Sequence, residues 1–273
     1  MPELPEVETI RRQLEPQLSG RTIREADSHW SAKFTPGLDA AGATITSIGR
    51  RGKYLVFVLD DERELIAHLG MTGQFHISDR SSEPTEAARF GTHVRALWRL
   101  DDGRHLIFRD VRRFGRLHVV DAGEYSGIAT LHHMGPEPLT DAFTGAHLHK
   151  ALSKSKRMVK TQLLSQRPVA GVGNIYADEA LFAARINPQA TRVGRDRCEA
   201  LAETIKAVLQ AGIDNGGTTL RDYVHVDGDQ GTNQHSLAVY GRGGEPCFSC
   251  GRALTRVTLD ARTTTYCRLC QRR

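Results

Sequence analysis

An initiator Met before Pro is normally trimmed, so the opening MPELPEVETIRRQL is expected to leave Pro2 as a secondary-amine N-terminus. An α-amine titrates near 7.7–8.0 and a lysine near 10.4, so at pH 7 about one amine in ten is unprotonated, against fewer than about one lysine in a thousand. A secondary amine attacking a sugar aldehyde, or its masked form, gives a cationic iminium. That electron sink acidifies the neighbouring C–H and invites elimination, which is covalent catalysis by an amine. Glu3 and Glu6 stand three apart beside the amine; if a helix runs back that far they share a face, and a carboxyl there can donate or accept protons. Glu and Pro at a chain start are also ordinary N-terminal helix chemistry. These residues alone leave both readings open.

A second constellation lies at the other end, where CFSC, sixteen residues and CRLC have zinc-ribbon spacing. Cys247, Cys250, Cys267 and Cys270 would supply four thiolates to one tetrahedral Zn²⁺, a closed and therefore structural site. Its expected job is to hold a β-hairpin that presents Arg262 and Arg256, because so short a segment with little apolar content cannot fold alone. Cys198, the fifth cysteine, reads as an ordinary helix residue. Clustered thiols favour metal in a reducing compartment over a disulfide framework. From Tyr240 to Arg273 seven arginines face only Glu245 and Asp260, which accounts for the whole formal net charge of +5. A polyanionic partner is the natural inference.

Three further strings carry charge or special backbone. FRDVRRFGR, 108–116, interleaves arginines with phenylalanines, which a hairpin edge produces and which also suits wedging and stacking against bases. RPVAGVGNIYADEALF, 167–182, reads as helix, tight glycine turn, helix, with Asn174 opening the second helix so that free N–H groups point where a phosphate can bind. Before it, Lys154, Lys156, Arg157 and Lys160 form a basic run, either a solvated face or a phosphate contact. Lys53, His68 and His93 read, by themselves, as surface and sheet residues. The polar, glycine-rich string 216–242 reads as a flexible loop.

The elements that must position these groups follow from periodicity. Pro5 suits a first helical turn, and Val7, Ile10, Leu14 and Leu18 follow at helical spacing. From Arg21 to about Val120, short apolar or β-branched runs alternate with turns such as Asp60-Asp61 and Asp101-Asp102-Gly103, which predicts an antiparallel β-sandwich of seven or eight strands with the first helix packed on it. Residues 78–91 are expected to form an exposed loop. Helical patterning takes over after HHMGPEPLT, with segments at 142–152, 157–165, 175–184 and 196–211. The fold class is therefore α+β, divided as a β-sandwich domain over 1–131, a hinge over 132–140, a helical domain over 141–235 and a zinc finger over 236–273. At 273 residues the chain is long enough for two cored domains. No run of about 18 apolar residues and no signal-peptide pattern occurs, so a soluble cytoplasmic protein without a membrane partner is expected.

MPELPEVETIRRQL, FRDVRRFGR, PVAGVGNIYADE and DARTTTYCRLCQ together resemble the formamidopyrimidine-DNA glycosylase and endonuclease VIII family of bacterial base-excision repair enzymes, and the -ELPEVET- form resembles the formamidopyrimidine branch. The resemblance spans nearly the whole chain. It implies that Pro2 is the Schiff-base nucleophile, Glu3 a proton donor, Glu6 an orienting or protonating residue, Lys53 a phosphate contact that assists β-elimination, and Arg262 the finger arginine of the second elimination. It further implies DNA contacts at His68, His93, Arg112, Lys156 and Asn174, and Met71, Arg112 and Phe114 as the side chains that fill the gap left by an extruded base. Val111 stands where the family string has Pro. Thr232 and Asn233 depart from an expected aromatic pair in the loop that covers a flipped purine.

The implied function is excision of oxidised purines, 8-oxoguanine and formamidopyrimidines, from double-stranded DNA, followed by β,δ-elimination at the abasic site. The expected form is a monomer in the bacterial cytoplasm, with one structural Zn²⁺ and neither an organic cofactor nor Mg²⁺. A pyrimidine-specific sister enzyme and a catalytically silent zinc-ribbon DNA-binding protein are the competing readings. The long 216–242 string argues against the first, and Pro2, Glu3 and Lys53 argue against the second.

Overall fold

Val7, Ile10, Leu14 and Leu18 are all buried on one stripe of α1 (Leu4–Leu18), as their spacing requires. Pro5 occupies the first turn, where a missing N–H costs nothing, and Glu3 is the N-cap, closing a reciprocal capping box with Glu6. The computed structural model describes residues 1–28, 31–78 and 93–272. They divide into two units, Met1–Ile128 with Gly216–Gly231, and Ala129–Asn215 with Thr232–Arg273.

The first unit is a sandwich built on eight strands: β1 (Ile23–Ser28), β2 (Ile45–Arg51), β3 (Tyr54–Leu59), β4 (Arg63–His68), β5 (Gly73–Ile77), β6 (Val94–Leu100), β7 (His105–Asp110) and β8 (Arg116–Asp121). Two antiparallel sheets, β1-β6-β7-β5 and β2-β3-β4-β8, enclose Phe34, Phe57, Phe75, Trp98 and Phe108. Burying a Trp requires a partner for its N–H, and Trp98 donates to Gly37 O at 2.9 Å. The helix stripe belongs to this same core. The chain crosses between the sheets twice at one end, through 69–72 from β4 to β5 and through 111–115 from β7 to β8. Because β5 pairs with β7 and β4 with β8, the two crossings lie side by side. The exposed loop expected at 78–91 lies, apart from Ser78, outside the described residues.

The glycine-rich string is not the uniformly flexible loop that its composition suggests. Residues 216–231 fold onto the sandwich, where Tyr223 joins the core and Val226 packs against it. Val226 N donates to Gln13 Oε1 at 2.9 Å, and Gln13 Nε2 reaches Asp227 at 3.1 Å. Of its apolar side chains, Tyr223 and Val226 are the ones that fasten it to the core. Thr232 and Asn233 belong instead to the second unit, held by Asn215 through its carbonyl and its side chain.

In that unit the helices are α2 (Ala129–His132), α3 (Gly145–Leu152), α4 (Val159–Leu164), α5 (Asn174–Ala183) and α6 (Arg195–Asp214), followed by the hairpin β9 (Thr255–Leu259) and β10 (Arg262–Tyr266). Gly145 lets α3 approach α6 so closely that a Cβ would lie 2.4 Å from Glu199 Cα. Cys198 is buried in α6, as read from the sequence. The division between units falls at Ile128/Ala129. The segment expected to be a hinge is tied into the second unit instead, because Gly135 N donates to Gln166 O at 2.8 Å and Pro136 O accepts from Ala170 N at 3.0 Å.

Candidate active site

Pro2 is buried immediately before the first turn of α1. Glu6 places both carboxylate oxygens at that point: Oε2 accepts from Glu3 N at 2.8 Å and Oε1 from Thr218 N at 2.7 Å. Gly217 makes the second bond possible. Its φ of +85° is left-handed, and a Cβ there would lie 3.0 Å from Glu6 Cγ. The Tyr223 hydroxyl lies 3.1 Å from Gly216 O and 3.4 Å from Glu6 O, and burial beside the Glu6 carboxylate holds its phenol above the ordinary range. Pro2, Glu3, Glu6 and the 216–231 segment thus form one neighbourhood.

Lys53 is buried at the β2–β3 turn. Its setting is fixed by an ion pair that the sequence reading missed, in which Arg50 Nε donates to Glu8 Oε2 at 3.1 Å while Arg50 Nη1 donates to Gly52 O at 3.1 Å. Glu8 thereby ties the lysine turn to α1. Burial pushes the Glu8 carboxyl up, but its bonds to Arg11 and Arg12 and the charge of Arg50 outweigh this and hold it below the usual value. His68, across from Tyr54 on β4, stacks on that ring at 4.7 Å and accepts from Gly70 N at 3.2 Å. Burial, with Lys53 and Arg116 nearby, pushes its pKa down to about 4. His68 can therefore offer a neutral N–H near pH 7, but not a positive charge.

The crossings 69–72 and 111–115 gather Met71, Arg112 and Phe114. Phe114 is 47 % exposed, and the Arg112 guanidinium lies 4.9 Å from the centre of its ring. His93 joins them from β6's start through its carbonyl, which accepts from Asp110 N at 2.9 Å. Its φ of +85° is one a side chain rarely adopts.

In the second unit Asn174 opens α5, donating Nδ2 to Thr263 O at 3.0 Å, and its Oδ1 is buried without a protein partner. The preceding turn is shaped by Gln166, whose Oε1 accepts from Gly171 N at 2.8 Å and whose Nε2 donates to Val172 O at 2.6 Å. Nothing in the sequence marked that glutamine. Lys154, Lys156 and Arg157 are exposed, and an open groove of about 800 Å³ is lined by His147, Lys154, Arg157 and Arg167. Lys160 does not belong with that run. It is fully buried, donating to Asp178 Oδ1 at 2.6 Å and to Thr264 Oγ1 at 2.8 Å. Asp178 in turn accepts from Thr265 N at 3.0 Å, so β10 is fastened to α4 and α5.

Arg262 is exposed at the start of β10. The hairpin does not present Arg262 and Arg256 together. Arg262 pairs with Leu259 and Arg256 with Thr265, which puts the two arginines on opposite faces. The Arg256 stem lies against Gly243, where a Cβ would come within 2.8 Å of Arg256 Cβ. The sulfurs of Cys247, Cys250, Cys267 and Cys270 all lie within 4.8 Å of one another. The Cys250–Cys267 and Cys247–Cys270 pairs are 3.5 and 4.0 Å apart, which brackets the edge of about 3.8 Å of a tetrahedron with Zn–S bonds of about 2.3 Å.

Residues 1–117 match the formamidopyrimidine-DNA glycosylase N-terminal domain, 134–224 the H2TH domain of the same enzymes, and 244–273 the zinc finger found in FPG and IleRS. The chain belongs to the formamidopyrimidine-DNA glycosylase family. It is 44 % identical to the formamidopyrimidine-DNA glycosylase of Teredinibacter turnerae over 99 % of this chain and 100 % of that one, and 43 % identical to that of Deinococcus radiodurans over 99 % and 97 %. The crystal structure of the MutM (Fpg) protein from Thermus thermophilus superposes with a TM-score of 0.89 at 44 % identity, covering 99 % of this chain and 98 % of that one. A Lactococcus lactis Fpg variant in complex with Fapy-dG-containing DNA superposes with a TM-score of 0.88 at 33 % identity, covering 100 % of both chains. The four-cysteine cluster of this glycosylase fold is a site for one structural zinc.

Proposed function

We infer that the chain is a bifunctional DNA glycosylase and abasic-site lyase that removes oxidised purines, 8-oxoguanine and formamidopyrimidines, from duplex DNA. The observation that carries this reading is the buried Pro2 at the head of α1, set beside the Glu3–Glu6 capping box in a chain of this family. A damaged base has its C1′ shielded in the stack, so the nucleotide must first be extruded; Met71, Arg112 and Phe114 fill the space it leaves. Lys156, Asn174, His93 and His68 hold the backbone, with His68 acting as a neutral donor.

Once Met1 is removed, Pro2 is a secondary-amine chain terminus whose unprotonated fraction supplies the attacking lone pair. The Pro2 nitrogen bonds to C1′ as the glycosidic C–N bond breaks, and the proton shed by that nitrogen leaves with the base. Glu3 protonates the ring oxygen as the sugar opens, giving an iminium at Pro2. Loss of the acidified C2′ proton expels the 3′ phosphate, a second elimination expels the 5′ phosphate, and water hydrolyses the iminium to free Pro2 and the unsaturated sugar remnant, leaving a one-nucleotide gap. Lys53 and Arg262 neutralise the phosphates that leave. Glu6 holds the Pro2 neighbourhood and the 216–231 segment together. The enzyme works as a monomer in the bacterial cytoplasm, and the zinc serves the finger's fold.

Borohydride trapping on a duplex carrying 8-oxoguanine opposite cytosine, with mass spectrometry of the adduct, tests this directly. An adduct on Pro2 is expected. Trapping only on an abasic-site duplex would keep the lyase and overturn the base specificity, and tight binding without an adduct on either would leave a silent DNA-binding protein.

A further inference from the structure

The two sheet crossings that carry Met71, Arg112 and Phe114 are joined by a relay that begins at a fully buried carboxylate. Asp110 ends β7 with no exposed surface. Its Oδ1 accepts from the Thr72 hydroxyl at 2.5 Å and its Oδ2 accepts from Gly115 N at 2.6 Å. Thr72 Oγ1, its own proton committed to Asp110, accepts in turn from Arg112 N at 2.9 Å. The backbone of Asp110 is fixed as well, its N–H donating to His93 O at 2.9 Å and its carbonyl accepting from Arg95 Nε at 2.8 Å.

This relay fixes more than a loop end. Thr72 is the neighbour of Met71, so the bond from Arg112 N to Thr72 Oγ1 sets the separation of two side chains that approach from different crossings. The bond to Gly115 N closes the other end of 111–115 and thereby sets Phe114. The crossings are also pressed together without side chains between them. A Cβ on Gly70 would lie 2.5 Å from Phe114 C, and one on Gly115 would lie 2.8 Å from Phe108 Cζ and 3.0 Å from Asp110 Oδ2. Thr72 and Asp110 are the side chains that bond one crossing to the other, while Lys33 Nζ donates to Arg113 O at 2.8 Å and Gly73 N to Leu69 O at 2.8 Å.

We propose that Thr72 and Asp110 are positioning residues for base extrusion: they fix the mutual placement of Met71, Arg112 and Phe114, and so determine which base opposite the lesion is accepted. This rests on the wedge role given to those three residues above. The physical reason is that stacking and hydrogen bonding in the vacated space depend on side-chain position within about half an ångström. A carboxylate that orients a hydroxyl, which in turn orients an amide, supplies that precision because each group in the series is buried or bonded.

The test uses the zinc-loaded full chain with Thr72→Val, which keeps the shape and removes the hydroxyl, Thr72→Ser, which restores it, and Asp110→Asn. Single-turnover excision is measured on duplexes carrying 8-oxoguanine opposite each of the four bases. Strand cleavage of a single-stranded abasic oligonucleotide is measured in parallel, since that substrate needs no extrusion and has no opposite base. Thr72→Val is expected to lower duplex excision about tenfold to a hundredfold, the effect of losing a buried charge-assisted bond. It is also expected to change the ratio of rates between opposite bases, to leave single-strand cleavage near the parent rate, and to be rescued by Thr72→Ser.

Arg112→Ala serves as the reference variant. If it too excises at the parent rate, the wedge reading fails. If it is impaired while Thr72→Val keeps both the duplex rate and the opposite-base ratios, the wedge reading stands and the positioning role is overturned. Parallel loss of single-strand cleavage in Thr72→Val would also overturn it, because the pair would then serve the fold at large. Should Asp110→Asn fail to fold, the Thr72 pair of variants decides alone.

Discussion

Thr218 donates its backbone N–H to Glu6 Oε1 at 2.7 Å, a bond between residues 212 positions apart. Glu6 Oε2 meanwhile accepts from Glu3 N at 2.8 Å, so each carboxylate oxygen serves one amide. Glu6→Gln keeps the shape but turns one of the two acceptor oxygens into an NH₂ donor, so one of the two amides loses its carboxylate oxygen. A cost of about 1–3 kcal/mol follows, which is about tenfold to a hundredfold in whatever step needs the bridge. Excision of 8-oxoguanine is expected to fall by that factor, and hydrogen exchange at Thr218 to accelerate. Gly217→Ala should act in the same direction, since its Cβ would crowd Glu6. Parent exchange and parent excision in Glu6→Gln would show that the bridge is dispensable.

His68 gives a prediction in pH. Its folded pKa is depressed to about 4, chiefly by burial, from an ordinary value near 6.5. Between those values the unfolded chain takes up a proton that the folded chain refuses. His68 therefore withdraws stability as pH falls through about 6.5, and the loss is complete below about 4. An NMR titration should show a ring flat from pH 8 to 5.5. On the proposed DNA contact, in which the side chain donates as a neutral group, His68→Gln is expected to retain most of the affinity and His68→Ala is not. A ring titrating near 6.5 would return a charged histidine to the phosphate contact.

The buried pair of Lys160 and Asp178 predicts non-additivity. Lys160→Met strips the partner from a carboxylate with almost no exposure, at a cost of about 3–5 kcal/mol. Adding Asp178→Asn removes the stranded charge and keeps an acceptor for Thr265 N, so the double variant should recover much of the loss in urea unfolding. Burial raises the Asp178 pKa to about 6 even with Lys160 present. In Lys160→Met it must rise further, so that variant should regain stability on acidification as Asp178 takes a proton. Simple additivity of the two substitutions would remove the coupling.

The sequence made legible what depends on local pattern. Val7, Ile10, Leu14 and Leu18 announced a buried helix face, and paired thiolates announced the zinc knuckles, because periodicity and ligand spacing act over short stretches. It could not reveal partners set by topology. Asp110 stands beside arginines in FRDVRRFGR, yet its side chain serves Thr72 and Gly115, a relation that exists only once β5 pairs with β7. Lys160 looked like its exposed neighbours because a run of charges carries no element boundary: Lys154, Lys156 and Arg157 precede α4, and Lys160 lies inside it. The opposite faces of Arg256 and Arg262 depend on hairpin register, and composition carries no register.

Zinc removal supplies the last prediction. The finger's core contains little beyond Val239, Cys247, Leu254 and Cys267, which is too small to offset the chain entropy of this segment without metal. A chelator should therefore melt the finger, release β10 from Lys160 and Asp178, and abolish cleavage of a lesion duplex. The sandwich keeps its own aromatic core, with Phe75 and Phe108 rings 5.0 Å apart, and Trp98 is buried within it. In a Trp30→Phe background, Trp98 fluorescence should then stay native while metal content and nicking fall together, and zinc should restore both. Cys250→Ser is expected to reproduce the chelated state without a chelator. Full nicking by zinc-free protein would mean that the hairpin holds Arg262 without its metal, which its few buried side chains do not allow.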